Sequence, residues 1–407
     1  MAKSSKVLAL IILICFTMPN NALSSQGQKS ATYVGSKKCK KCHQEIYRGW
    51  RTTFHPYKFQ KATPETVIGD FTHNNRLTID GKTTLMTRKG DKFFIVTQDP
   101  EGVDRTYRVS YVIGQFWKQM YVTELPNGEL RVLPVMWIVK TQRWKKAKYW
   151  IKTPYQYACS GCHNTDTRIN YDPKTDTYHT TWSDMGVACE ACHGPGSKHI
   201  EAPREKKADT IVNPARIPDP RRAAMVCGSC HERGTSPDGK YAYPHDYKPG
   251  KLLSFHEKPK VYPNGSSRAN RQQYIDWEKS PHARAGVMCW DCHFVHRKGK
   301  ANRYQTKLPG SALCRSCHQV ENEGFHGIHS VNNCIGCHMP AIGKRATKGD
   351  VHSHLFRVIS PRETLKAGGL DKQPNSCNAC HYHEKDSPQK LLKVLERVKA
   401  SGWSFPN

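Results

Sequence analysis

The sequence is poor in acidic and in apolar residues. It has 34 Asp and Glu against 63 Lys and Arg, a formal net charge of +29, and only 37% of its 407 residues are apolar. Globular domains are about 45–50% apolar, so the chain has too few apolar side chains for an ordinary core. Its nine Trp, 18 Tyr and 12 Phe exclude a disordered chain. We therefore expect a folded protein whose interior is partly filled by something other than side chains.

The sequence also lacks an apolar run long enough to span a bilayer, which needs about 18 residues. Its main apolar stretch is residues 7–16, preceded by Lys3 and Lys6 and followed by small or polar residues up to Ser25. This pattern predicts a secretory signal peptide over residues 1–25 and an exported mature protein, periplasmic or at the cell surface, without a transmembrane segment. A lipoprotein-type cleavage before Cys15 is the alternative, which Ile14 disfavours.

Cysteine outside this segment occurs in one pattern only, Cys-x-x-Cys-His, which is present eight times. Composition alone gives roughly 0.04 chance occurrences of this pattern. Two thiols on one helical turn can bind both vinyl groups of a haem, and the following His then ligates the iron. Zinc sites and disulfides do not explain why a His follows every second Cys. Numbered along the chain, motifs 1 to 8 predict eight covalently bound haem c groups, with thioethers at Cys39, Cys42, Cys159, Cys162, Cys189, Cys192, Cys227, Cys230, Cys289, Cys292, Cys314, Cys317, Cys334, Cys337, Cys377 and Cys380 and proximal ligands His43, His163, His193, His231, His293, His318, His338 and His381.

Of the 21 histidines, 13 lie outside these motifs and could supply the second axial ligand. Iron with two axial histidines has no open position for a substrate, which favours electron transfer over catalysis. Local context selects eight distal candidates, His55, His73, His199, His256, His282, His296, His326 and His354. The sequence does not separate His326 from His329, or His352 from His354.

Several motif segments resemble the exported multihaem cytochromes c. They include residues 187–199, 226–239, 286–293 and 334–340, the first of which reads Val-Ala-Cys-Glu-Ala-Cys-His-Gly-Pro-Gly-Ser-Lys-His. The resemblance is to the lineage that includes the tetrahaem electron acceptor of hydroxylamine oxidoreductase and the pentahaem nitrite reductases. It implies haems in near-contact pairs that pass electrons along a row.

The nitrite reductases of that lineage carry a Lys in place of one motif His, and no Cys-x-x-Cys-Lys occurs here. We therefore assign no catalytic residue and predict an octahaem electron-transfer protein of periplasmic or extracellular respiration. The alternative is an octahaem oxidoreductase with one open haem, which would oxidise hydroxylamine or reduce nitrite or a sulfur compound.

The motif spacing predicts the organisation of the chain. We expect a first haem segment over 26–74, an antiparallel β-rich insert over 75–150, a seven-haem array over 151–386 and an amphipathic helix over 387–407. Asp80-Gly81 and Asn127-Gly128, each between apolar alternations, are hairpin signals in the insert. Elsewhere the fold class is that of a multihaem cytochrome c, mostly loops and short α-helices wrapped round a haem array.

The positive charge has two expected uses. Part of it offsets the ionised propionates of the haems, and part can attract acidic redox proteins or a membrane-bound quinol-linked partner. Lys37, Lys38, Lys40, Lys41 and residues 143–148 form the densest basic runs. The export signal argues against nucleic acid as a partner. Assembly into a homo-oligomer or filament is compatible with the sequence.

Overall fold

The computed structural model describes residues 30–73, 75–99, 101–147, 153–257, 259–299, 304–319, 326 and 333–400. The chain divides into two units, Met1–Ala31 and Thr32–Asn407. Only residues 30 and 31 of the first unit are described, so the predicted signal peptide lies outside the described residues. All that follows concerns the second unit.

The helices are short, and most of them occur where a haem motif occurs. In chain order they are α1 Ser36–Lys40, α2 Gln44–Trp50, α3 Tyr155–Ala158, α4 Ser160–His163, α5 Cys189–His193, α6 Ser197–Glu201, α7 Pro220–His231, α8 Gln273–Glu278, α9 Pro281–Arg284, α10 Cys289–Cys292, α11 Ala312–Arg315, α12 Cys334–His338, α13 Pro361–Lys366 and α14 Pro388–Ala400.

The larger strands lie between motifs 1 and 2 and form two antiparallel sheets. They are β1 Phe59–Lys61, β2 Arg76–Ile79, β3 Lys82–Lys89, β4 Lys92–Gln98, β5 Asp104–Arg108, β6 Tyr111–Ile113, β7 Lys118–Glu124, β8 Leu130–Ile138 and β9 Arg143–Lys146. One sheet has the order β2-β3-β4-β5 and the other β1-β6-β7-β8-β9. Asp80-Gly81 joins β2 to β3 and Asn127-Gly128 joins β7 to β8, at the turns where the sequence predicts hairpins.

The β region begins before the insert that the sequence predicts. Its first strand, β1, lies within the segment assigned from the sequence to the first haem, and it pairs with β6 through Phe59 and Ile113. Three residues are too short a run to show a period-two pattern, so only the pairing partner reveals this strand. As a result, the chain just after motif 1 is part of a sheet.

A compact apolar core holds the two sheets together. Phe71, Tyr121, Trp137 and Trp144 are buried there with Met86 and other apolar side chains. The rings of Phe71 and Trp144 meet edge to face at 5.3 Å between centroids, an arrangement that adds to the stabilisation from burial. This region has the ordinary side-chain core that the composition as a whole lacks.

Beyond residue 153 the regular structure is sparse. Two-residue strands form small antiparallel ladders, β10 Asn164–Thr165 with β13 Asp184–Met185, β11 Tyr171–Asp172 with β12 Thr177–Tyr178, and β14 Gly234–Thr235 with β15 His256–Glu257, and a longer ladder joins β16 Ala341–Lys344 to β17 Lys348–His352. Loops connect these elements.

The C-terminal helix begins as the sequence predicts. The Ser387 side chain accepts a hydrogen bond from the Lys390 backbone N–H at 3.2 Å, which caps α14. Leu391 is buried, and Leu392, Leu395 and Val398 are half-buried on the same face. The expected end near Gly402 lies outside the described residues.

Candidate functional site

A large cavity, about 2320 Å³ in volume, runs among the haem motifs. Residues of motifs 1 to 7 line it, together with the candidate distal ligands His55, His199, His282, His296, His326 and His354. Cys, His and apolar side chains in this combination suit covalently held haem, and a cavity of this size explains the low apolar content of the chain. The donor set therefore fits haem c.

The motif histidines are held in an orientation suited to iron. The Nδ1 of His193 hydrogen-bonds the Val212 carbonyl at 2.7 Å, and that of His293 hydrogen-bonds the Tyr304 carbonyl at 2.9 Å. A carbonyl can only accept, so in both rings Nδ1 carries the proton and Nε2 keeps its lone pair. That lone pair is what a haem iron requires.

Five motif histidines face a second histidine at a common spacing. A metal bound about 2 Å from each of two imidazole nitrogens places the ring centroids about 6 Å apart. The observed centroid distances are 6.2 Å for His43–His199, 6.0 Å for His193–His296, 5.9 Å for His318–His282, 6.4 Å for His293–His354 and 6.4 Å for His338–His326. Each pair therefore has room for one iron between its rings.

His55 and the motif histidine His231 both line the cavity. Burial lowers the pKa of His55 to about 3, and the charges of Lys58 and His231 lower it further. The Nδ1 of His231 is 3.1 Å from the Gln273 side-chain oxygen, so this ring is also oriented.

Two candidate distal ligands are placed at the surface. The His73 side chain is 93% exposed, and its Nδ1 hydrogen-bonds the Thr72 hydroxyl at 2.9 Å. His256 is exposed, and its Nε2 hydrogen-bonds the Pro237 carbonyl at 2.7 Å. Neither residue is among those that line the cavity.

His352 and His354, between which the sequence does not decide, both line the cavity. His354 faces the motif histidine His293, whereas the ring neighbour of His352 is Tyr304, at 6.1 Å between centroids. His326 faces His338, and its alternative, His329, lies outside the described residues. The assignment of distal ligands to individual haems stays a prediction.

Two motif histidines have other surroundings. Tyr155 is the ring neighbour of His163, at 6.4 Å between centroids, and the buried His163 Nδ1 has no hydrogen-bond partner among the described residues. His381, in motif 8, is exposed and stacks near Tyr382 at 3.9 Å. Motifs 2 and 8 therefore depart from the paired arrangement.

Burial keeps three of the cavity histidines neutral. It lowers the pKa of His163 and of His354 to about 3 and that of His231 to about 4. Only a neutral imidazole has the lone pair that binds a metal. These rings are therefore ready to ligate iron at neutral pH without first losing a proton.

Thiols of different motifs lie close together and show which motifs are neighbours. The Cys189 thiol hydrogen-bonds that of Cys39 and lowers the pKa of Cys39. Similar contacts join Cys162 to Cys230, Cys227 to Cys289 and Cys314 to Cys334. In addition, Cys192 raises the pKa of Cys227, Cys317 that of Cys292 and Cys337 that of Cys377. Among these thiols the motifs thus follow the spatial order 1, 3, 4, 5, 6, 7, 8, and motif 2 branches from motif 4.

Two buried carboxylates accept hydrogen bonds from distant segments next to the motifs. The sequence analysis did not identify either of them. Glu190, inside motif 3, accepts backbone N–H bonds from Val34 at 2.9 Å, Gly35 at 2.8 Å and Gly196 at 2.7 Å. Its position between the two cysteines of a motif was the available signal.

The second carboxylate, Asp276 in α8, accepts the His354 backbone N–H at 3.0 Å and the Ser267 hydroxyl at 2.6 Å. Burial raises the pKa of Asp276 above its usual value, and these hydrogen bonds partly oppose the shift. Asp276 therefore positions the loop that carries the ligand candidate His354.

Comparisons with known proteins agree with this site. Residues 138–194, which contain motifs 2 and 3, match the family described as cytochrome c554 and c-prime. The chain is 24% identical over 179 residues to the cytochrome c nitrite reductase subunit NrfA of Nitratidesulfovibrio vulgaris, covering 35% of this chain and 34% of NrfA. It is 24% identical over 256 residues to the dissimilatory sulfite reductase MccA of Wolinella succinogenes, covering 54% of this chain and 33% of MccA.

The chain thus spans only 34% and 33% of the length of these two curated relatives. Among solved structures, the outer cell wall cytochrome OcwA superposes with a TM-score of 0.65 at 23% identity, over 90% of this chain and 86% of OcwA, so the two share a fold. Within the described residues, no helix is long and apolar enough to cross a bilayer. Together with the repeated attachment motif, these matches place the chain among the multihaem c-type cytochromes, in the lineage of cytochrome c554 and NrfA.

Proposed function

We propose that the protein is an octahaem cytochrome c that transfers electrons along its row of haems, outside the cytoplasm. The observation that carries this proposal is the set of five histidine pairs with ring centroids 5.9–6.4 Å apart. Haem held between two histidines supplies one-electron exchange at an iron that admits no substrate. Such sites suit a carrier better than a catalyst.

The chain's own residues hold several of these sites in place. Carbonyl groups hold the ring orientation of the ligands, and buried carboxylates hold the backbone around them. A site that does not rearrange when its charge changes has a small reorganisation cost, because its dipoles are already in place. Rigid second-sphere contacts therefore favour fast electron exchange.

The ends of the motif order suggest where partners bind. Motif 1, at one end, carries the exposed residues Lys37, Lys38, Lys40 and Lys41, and motif 8, at the other, has the exposed His381. An exposed basic cluster attracts acidic redox proteins and raises their rate of encounter. Electrons would enter at one end and leave at the other, and contact between copies at these ends would give a filament. OcwA is named as an outer cell wall cytochrome, which supports an extracellular location for this chain.

A second candidate is an octahaem oxidoreductase with one open haem. The surroundings of His163, which has no histidine ring neighbour among the described residues, favour it. Two relatives, NrfA and MccA, are named as reductases of nitrite and sulfite. The two candidates are compatible if one haem of the row serves as a binding site.

Intact-mass spectrometry of the mature holoprotein tests the haem number, with eight haem additions expected. Stopped-flow reduction by a single donor tests whether electrons pass along the row of haems. If the haems are connected, all of them should be reduced without a slowly reduced fraction. Fewer than eight additions in fully matured protein would contradict the octahaem assignment. A persistently oxidised subset of haems would contradict transfer along one row.

A further inference from the structure

A series of five tyrosine rings leads from motif 2 to the surface. The distances between successive ring centroids are 5.5 Å for Tyr243–Tyr241, 5.4 Å for Tyr241–Tyr157, 6.5 Å for Tyr157–Tyr178 and 4.6 Å for Tyr178–Tyr171. Aromatic side chains interact at about 4.5–7 Å between centroids, so every step of the series is a ring contact. We call these five residues the tyrosine chain.

The inner end of the tyrosine chain lies against motif 2. Tyr243 is 4% exposed, and its hydroxyl donates to the Gln156 carbonyl at 2.9 Å and lies 3.0 Å from the Ser160 hydroxyl. A Cβ at Gly161 would collide with the Tyr243 ring. Ser160 and Gly161 are the two residues between the cysteines of motif 2. The ring therefore touches the segment that would hold a haem through its thioethers.

The outer end of the tyrosine chain reaches solvent. Tyr171 is 40% exposed, and its hydroxyl donates to the Asp176 carboxylate at 3.0 Å. Tyr171 pairs with Tyr178 across the β11–β12 ladder, and Asp176 lies in the loop between these strands. A carboxylate within hydrogen-bond distance can take up a proton from the group that it faces. The exposed ring thus has its own proton acceptor.

Tertiary contacts hold the parts of the tyrosine chain together. The Asn127 carbonyl accepts the Tyr178 N–H at 2.8 Å, and the Asn127 side chain donates to the Asp176 carbonyl at 3.0 Å. The Tyr157 carbonyl accepts the Ala242 N–H at 2.9 Å. The β7–β8 turn therefore fixes the outer hairpin, and the loop that carries the two inner tyrosines is held to helix α3.

The direct charge contacts of the rings differ between the middle of the chain and its outer end. The Lys240 ammonium lies 5.5 Å from the centroid of the Tyr157 ring and 5.8 Å from that of the Tyr241 ring. A nearby cation opposes the removal of an electron from a ring, whereas a carboxylate favours it. Because the Tyr171 hydroxyl faces Asp176, an electron leaves Tyr171 more easily than it leaves the two rings beside Lys240. An oxidising equivalent that enters the chain is therefore more stable at the surface.

We propose that the tyrosine chain carries oxidising equivalents from the haem of motif 2 to Tyr171 when the oxidised protein meets hydrogen peroxide, and that a phenol outside the protein discharges them there. This inference rests on the proposed function in taking motif 2 to carry a haem. A phenol suits this role because it can lose an electron and a proton together.

Electrons and protons balance over two turns of the chain. One hydrogen peroxide takes up two electrons and two protons, its O–O bond breaks, and two waters form. In each turn Tyr171 gives one electron inwards along the chain and its proton to Asp176, which releases that proton to solvent. An external phenol then returns one electron and one proton to Tyr171. Two phenols are thus oxidised to phenoxyl radicals for each peroxide.

Rapid-freeze electron paramagnetic resonance of the oxidised holoprotein treated with hydrogen peroxide tests the proposal, together with peptide mass spectrometry of the same samples. The experiment is done without an external phenol, so that oxidised Tyr171 residues of two copies can couple. We expect a tyrosyl radical signal, followed by dityrosine at Tyr171.

Two variants change the path and one serves as a control. Tyr178→Phe removes only the hydroxyl of the ring next to Tyr171, and it should lower dityrosine at Tyr171 several-fold because a phenyl ring is harder to oxidise than a phenol. Asp176→Asn keeps a hydrogen-bond acceptor but no proton acceptor, so it should also lower this yield. Tyr382→Phe is the matched control. Tyr382 is 80% exposed beside motif 8 and lies outside the chain, so its loss should leave Tyr171 oxidation unchanged.

Two results would overturn the inference. If Tyr171 is oxidised as fast in Tyr178→Phe as in the unmodified protein, the oxidant reaches Tyr171 from solvent and not through the chain. If the unmodified protein gives neither a tyrosyl signal nor oxidised Tyr171, no oxidising equivalent reaches the surface by this path. The haem number, counted by intact mass before peroxide is added, decides the octahaem proposal separately.

Discussion

Removing one acceptor atom from Glu190 should weaken the hydrogen bonds by which its side chain connects motif 3 to the backbone just before motif 1. In Glu190→Gln, the amide can keep its oxygen at the Oε1 position, which accepts the Val34 and Gly196 N–H groups, and then its NH2 faces the Gly35 N–H. Gly35 is buried, so its N–H loses its acceptor and cannot turn to water. An unsatisfied buried donor costs about 1–3 kcal/mol.

The expected readout is local hydrogen exchange. A loss of about 2 kcal/mol in the free energy of local opening corresponds to exchange about 30-fold faster at the Gly35 amide. Hydrogen-exchange mass spectrometry of the holoprotein, read on peptides covering residues 32–38, would measure it. Glu201→Gln is the matched control, because Glu201 is exposed on the neighbouring helix α6.

The Glu190→Gln experiment distinguishes a local effect on the contact between motifs 1 and 3 from a change in the stability of the whole protein. An unchanged exchange rate at Gly35 would refute the reasoning, because another contact would then protect this amide. Equal acceleration along the whole chain would also refute it, since the variant would have lowered global rather than local stability.

Three further outcomes are expected. His199→Ala should create one high-spin haem that binds carbon monoxide when reduced, whereas His179→Ala, at an exposed position, should leave the carbon monoxide difference spectrum unchanged. Asp276→Asn should lower the free energy of unfolding by about 1–3 kcal/mol in urea titrations, because its NH2 group then faces the backbone N–H of either His354 or Ser267, each of which now has a carboxylate oxygen as acceptor. Burial raises the pKa of Asp276, so the folded protein binds this proton more tightly than the unfolded chain does. The stability of the unmodified protein relative to Asp276→Asn should therefore fall as the pH rises from the ordinary aspartate pKa through the raised one. Gly69→Ala should destabilise the β core by about 1–3 kcal/mol through overpacking, since its Cβ would meet a Trp144 ring carbon at 2.7 Å. A change in the haem spectra of this variant would contradict a purely structural role for Gly69.

Much of the local structure could be predicted from the sequence. The hairpin at Asp80-Gly81 and the cap of α14 at Ser387 depend on residues within a few positions of one another. The β-rich insert was predicted over residues 75–150 without an arrangement of its strands. Their division into two sheets is set by packing and not by turns. The early strand β1 escaped prediction for the same reason.

The candidate distal ligands show the limit of sequence context. His199 and His354 face motif histidines, whereas His73, chosen because it follows an aromatic residue, is placed at the surface. A side chain's neighbours in the chain do not determine which way the backbone carries it. The direction of His354 comes from Asp276, which lies 78 residues away.

By itself, the sequence determined the cofactor chemistry of this protein, because haem attachment needs two thiols and an imidazole on a single helical turn, a requirement met within five consecutive residues. Only the tertiary structure decided which histidine faces which motif histidine and which motifs are neighbours. These relations join residues far apart in the chain, such as His43 and His199, which are 156 positions apart. Contacts over such separations depend on how the whole chain packs, and no local spacing encodes them.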